Sequence, residues 1–200
     1  MDGMMQQEEM ERLIFFETTR QEAKAKTQEN DKDIQAWLQL GGALLELAHF
    51  RRGTEAHEFL KDSIVAFEKV LQLDANKHEA MWCLGNALTS EGFLDIDRPS
   101  ALRKFEEAKQ YFIRAATAAP HNEHYQKSLS MAPKAPEIYD QVHSPEAQGI
   151  IPGMGAPPGG GAEMDMGAND DFFWTCVGWG VLAASLVTFA LYAPKPPPMA

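Results

Sequence analysis

The sequence predicts an all-α protein: a helical-repeat domain with lengthened repeats, followed by one C-terminal transmembrane helix. Two observations carry this. Blocks of sequence recur at a displacement of 44 to 45 residues, with helical spacing inside each block. Near the end, Phe172 to Ala193 runs for 22 residues without a charge or a proline. As a helix that run measures about 33 Å, enough for a hydrocarbon core of roughly 30 Å.

The elements follow in order. Residues 1–7 carry no strong signal. From Glu8 to Lys26 acidic residues come early and basic ones later, as the helix dipole prefers. Met10, Leu13, Phe16 and Ala23 form an apolar stripe that Ile14 and Phe15 broaden. A charged loop, Thr27 to Asp33, leads to the repeats. Leu40-Gly41-Gly42-Ala43-Leu44 returns as Leu84-Gly85-Asn86-Ala87-Leu88. The block from Ser63 to Val70 returns as Ala108 to Ala115, and Ala75 returns as Pro120. Gly41 and Gly85, with Ser63 and Ala108, let paired helices approach closely while larger neighbours fill the space beside them. Turns are expected at His49 to Thr54 and Phe93 to Pro99. Asn76 with Glu79 reads as a capping box, and Pro99 suits a first helical turn. A short helix at Glu123 to Ser130 caps the array, and Ala135 to Val142 adds a turn or two. Residues 146–171 are rich in glycine and proline and read as a flexible linker.

The expected domains are therefore 1–145 (helical-repeat domain), 146–171 (linker), 172–193 (membrane span) and 194–200 (tail). With seven residues after the span, insertion should be post-translational, making a tail anchor with residues 1–171 in the cytosol. All 29 acidic residues precede the span with 17 of the 18 basic ones, a net charge of −12. That balance argues against nucleic acid and anionic headgroups as partners and favours cationic ones. Cys83 lies in the repeats and Cys176 in the span, so no disulfide framework exists. The acidic N-terminus lacks the apolar core of a secretory signal.

No catalytic constellation, cofactor motif or metal-ligand spacing stands out. His78 and Cys83 fall on different sides of a helix and lack further partners at zinc spacing. Asp95-Ile96-Asp97 is too short for a calcium loop. The expected activity is peptide binding. Stacked helix pairs curve, and the first helix of each pair lines the concave side. The positions opposite the packing stripe are Leu38, Gly42, Leu45 and Glu46 in the first unit and Glu79, Trp82, Asn86 and Thr89 in the second. The other placement of Leu38, Leu45 and Trp82 is in the core, under the N-terminal helix. Apolar groove positions bordered by Glu46 and Glu79 suit an amphipathic helix with a basic polar face, the composition of mitochondrial presequences.

Trp37, Leu40, Gly41 and Leu44, then Ser63, Phe67, Val70 and Ala75, resemble the tetratricopeptide repeat. So do Met81, Leu84, Gly85 and Leu88, then Ala108, Phe112, Ala115 and Pro120, with about ten residues beyond the usual 34 in each unit. Tetratricopeptide modules that clamp chaperone C-termini resemble one another in having basic groove residues. Here Asn86 is the sole match, which disfavours that use. Leu13-Ile14-Phe15-Phe16-Glu17, Gly41 to Leu47, Glu79 to Ala87 and His124 to Leu129 together resemble the plant-type twenty-kilodalton import receptor of the mitochondrial outer-membrane translocase. The resemblance implies presequence binding on the cytosolic face of the mitochondrial outer membrane, transfer to a translocation pore, and contact with other translocase subunits. The alternative is a tail-anchored helical-repeat adaptor of the fission type that recruits a protein partner. Neither reading is an enzyme, and neither needs a cofactor.

Overall fold

The computed structural model describes residues 2–144. The predicted linker (146–171), span (172–193) and tail (194–200) lie outside the described residues. Within them the chain is all-helical, with no strand: α1 (Asp2–Glu29), α2 (Ile34–His49), α3 (Gly53–Leu73), α4 (His78–Leu94), α5 (Arg98–Ala118), α6 (Glu123–Met131), a 3-10 turn (Ala132–Lys134) and α7 (Ala135–Val142). No described helix is long and apolar enough to cross a membrane. Each helix packs mainly on its neighbours in sequence, α1 on α2, α2 on α3 and so on to α6. The chain thus zigzags into two layers, α1/α3/α5 and α2/α4/α6.

The recurrence at 44 to 45 residues is the recurrence of one joint. A Cβ at Gly41 would stand 2.7 Å from the Phe67 ring, and one at Gly85 would stand 2.6 Å from the Phe112 ring. Each phenylalanine sets one side of its ring against a helix that has no side chain there. Both rings are buried, an environment worth about 2–3 kcal/mol for each. Ser63 Oγ donates to the Gly41 carbonyl at 2.8 Å. Ala108, its counterpart, has no hydroxyl, and the Gly85 carbonyl instead accepts from Thr89 Oγ1 at 2.8 Å. A third joint of the same kind, Gly92 with Phe105, tightens α4 against α5 nearer the turn.

Helix starts follow local chemistry. Asp33 accepts from Ala36 N, Asp97 from Ser100 N with Pro99 in the first turn, and Asn122 from His124 N and Tyr125 N. The capping box expected at Asn76 does not form. α4 begins at His78 after Lys77, and the Asn76 N–H is taken by the Asp74 carboxylate at 3.0 Å. The side chain two residues earlier reached that donor first and shaped the turn.

α1 is longer than its expected span, and its buried stripe differs. Phe16, Thr19, Ala23 and Thr27 are buried, while Met10, Ile14 and Phe15 are exposed. The threonines are tolerated inside because their hydroxyls donate to the Phe15 and Lys24 carbonyls. At the other end α7 folds back on the α4–α5 turn. Tyr139 OH donates to the Asp95 carbonyl at 2.8 Å, and Arg98 grips Asp140 with two bonds of 2.6 and 2.7 Å.

Candidate functional site

The α2/α4/α6 layer presents the face to which the predicted residues belong. α2 is buried on nearly every side, from Leu40 and Gly41 through Ala43 to Ala48. Its open row is Gln35, Gln39 and Gly42. The two adjacent glycines divide the work: Gly41 is filled by Phe67, whereas a Cβ at Gly42 would meet nothing within 4 Å. On α4 the partly open row is Glu79, Asn86, Thr89 and Ser90. Gln35 pairs with Glu79 and Gly42 with Asn86 at the repeat spacing, so the row is small and polar in both units.

Leu38, Leu45 and Trp82 lie together, but inward. All three belong to one core cluster with Met81 and Leu84, and Trp82 is 1% exposed. Of the two placements open to them, the burial is that of the core. The cover over Trp82 is α6 rather than α1: its indole N–H donates to Ser128 Oγ at 2.8 Å, and its ring centroid is 5.6 Å from that of Tyr125. Tyr125 OH lies 3.0 Å from His78 Nδ1 on the same seam.

The two acids differ from simple rim charges. Glu79 is half-buried and ion-paired to Lys77 at 2.6 Å. Glu46 is 1% exposed. Its Oε2 accepts from Arg12 Nη2 of α1 at 3.4 Å, and its Oε1 has no partner. Burial pushes this carboxyl up to about 7, with Arg12 pulling partly the other way. One turn on, His49 Nδ1 is also buried without a partner, and burial together with the Arg12 charge pushes the imidazole down to about 4. The Arg12 guanidinium stands 5.8 Å above the Phe50 ring. Arg12, His49 and Phe50 were not singled out from sequence. The available signal was that Arg12 is the one basic residue among the first 19. Burial raises the Cys83 thiol to about 12, which makes it a packing residue and not a nucleophile. Among the described residues no group of three or more His, Cys, Asp or Glu could hold a metal ion.

The described residues build a stack of helical hairpins, and similarity to known proteins assigns its family. The family model for the plant-specific mitochondrial import receptor subunit TOM20 matches residues 10–193. In Arabidopsis thaliana, mitochondrial import receptor subunit TOM20-3 is 35% identical over 92% of this chain and 93% of its own length. TOM20-4 is 34% identical over 98% of both, and TOM20-2 is 40% identical over 66% of this chain and 63% of its own length. The chain belongs to the plant-specific mitochondrial import receptor subunit TOM20 family.

Proposed function

We propose that this protein is a receptor on the mitochondrial outer membrane that binds the amphipathic, basic presequences of precursor proteins and passes them to the translocase pore. Membership of the import-receptor family across residues 10–193 carries this reading. The architecture that fits it is a tetratricopeptide-like domain (1–145) with lengthened repeats, a linker (146–171) and a single tail-anchor span (172–193) that leaves the domain in the cytosol. The family match runs to the last residue of the apolar stretch, which supports including the span. The two equivalent Gly–Phe joints support the repeat assignment.

The binding face is the outer row of α2 and α4. Gly42, Asn86 and Thr89 form its floor, Leu38, Leu45 and Trp82 back it from the core, Glu79 supplies an acid at its edge, and Glu46 lies enclosed at its far end beside Arg12 of α1. Filling that floor tests the idea. Gly42→Leu starts its side chain where a Cβ meets nothing within 4 Å, and a thermal melt checks that the variant stays folded. For the full chain in nanodiscs, titrated with a fluorescent amphipathic peptide with leucine on one face and arginine on the other, we expect saturable binding that Gly42→Leu weakens at least about fivefold. Binding unaffected by Gly42→Leu would move the site off this face. No saturable binding by the folded wild type would point instead to an adaptor that recruits a folded protein.

A further inference from the structure

The Glu46 carboxylate is an odd thing to bury. It is almost wholly enclosed, yet its bond to Arg12 is single and 3.4 Å long. Its second oxygen has no partner, nor does the adjacent His49 Nδ1. The Arg12 side chain remains 42% exposed while its guanidinium faces the Phe50 ring. A carboxylate, a neutral imidazole nitrogen and an aromatic face are the parts of a guanidinium receptor. Arg12 occupies it at one point only, and a partly exposed single-point ion pair is weak. A better-placed guanidinium could use both carboxylate oxygens in a fork.

We infer that the Glu46–His49–Phe50 cluster is a binding site for an arginine of the peptide ligand, and that Arg12 of α1 is its built-in competitor, vacating it when the ligand arrives. This rests on the receptor reading above and adds to it a specific subsite and a self-blocking contact. The ligand recognised is a guanidinium group carried on a basic amphipathic helix. Displacing Arg12 disturbs little else, because the buried packing residues of α1 begin at Phe16, one turn further on.

The test uses the full chain in nanodiscs at about pH 8, where Glu46, raised to about 7, is ionised, and two peptides: an amphipathic helix with arginines on its polar face, and the same peptide with citrulline at those positions. Citrulline keeps the shape and removes the charge. Arg12→Met retains the apolar stem and removes the competitor. It should tighten binding of the arginine peptide by about two- to fivefold, the range of one exposed ion pair, and leave the citrulline peptide unchanged. Adding Glu46→Gln to Arg12→Met should abolish the gain. Arg12→Lys, which keeps a cation in place, should stay close to wild type. Unchanged or weakened binding of the arginine peptide to folded Arg12→Met overturns the inference while leaving the receptor reading intact, since the wild type still binds. An equal gain for both peptides overturns it too, because the site would then not be reading charge. If neither wild type nor variant binds either peptide, both readings fall together.

Discussion

Glu46 and His49 sit one turn apart on α2, and burial drives their ionisation in opposite senses: the carboxyl rises to about 7 and the imidazole falls to about 4. Between the two the folded pair is uncharged, whereas an unfolded chain ionises the carboxyl above 4.5 and protonates the imidazole below 6.5. Folding therefore takes up a proton at Glu46 and releases one at His49. The Glu46 contribution to stability is fully present below about 4.5 and is lost as pH rises through about 7. The His49 contribution is present above about 6.5 and is lost as pH falls through about 4. Each amounts to about 3 kcal/mol at the extremes, and in the wild type their opposite pH dependences nearly cancel from pH 4.5 to 6.5. We predict that Glu46→Gln exposes the rising limb and His49→Gln the falling one. Thermal melts across pH 4 to 8 check this. Parallel profiles for the two variants would show that the pair is not buried as described. None of this was legible from sequence, where Glu46 reads as a groove acid. Its hydrogen-bond partner is an arginine 34 residues away on another helix.

Helix contacts are where the sequence was most readable, and for a physical reason. A joint that repeats must use the same small and large residues twice, so the recurrence itself marks Gly41 and Phe67 as the counterparts of Gly85 and Phe112. Gly85→Ala drives a methyl group into the Phe112 ring and should cost about 1–3 kcal/mol by thermal denaturation. Gly42→Ala meets only open space and should instead gain up to about 1 kcal/mol from helix propensity. Equal effects at the two sites would contradict the division of labour between neighbouring glycines. Asn122→Ala, which leaves the His124 and Tyr125 amides uncapped, should cost about 1 kcal/mol and loosen α6 over Trp82. A red shift of Trp82 emission would report the loosening. The start of α4 was less readable, because Asp74 and Asn76 are both good turn formers and competed for one N–H. The face of α1 was read in part: Phe16 and Ala23 of the expected stripe are buried, whereas Thr19 and Thr27 were passed over because they look polar. Each is satisfied within its own helix and can be buried.

For the whole molecule, resemblance foretold the family. Which of the helically spaced apolar residues face outward was not foretold. Leu38, Leu45 and Trp82 have the same spacing whether they line a groove or fill a core, and packing between α2, α4 and α6 decides between the two. The acidic balance has a kinetic consequence. A basic peptide should associate faster at low ionic strength, with dissociation much less affected, and stopped-flow titration over a salt series will show it. Salt-independent association would mean that the acidic surface plays no part in capture. One further property follows from the length of α1. At 28 residues it measures about 42 Å against about 24 Å for the 16 residues of α2. Arg12 lies beside the end of α2, so the turns before it project past the hairpin. Any pull on those turns would be felt first at the Arg12–Glu46 contact, ahead of the buried packing that begins at Phe16.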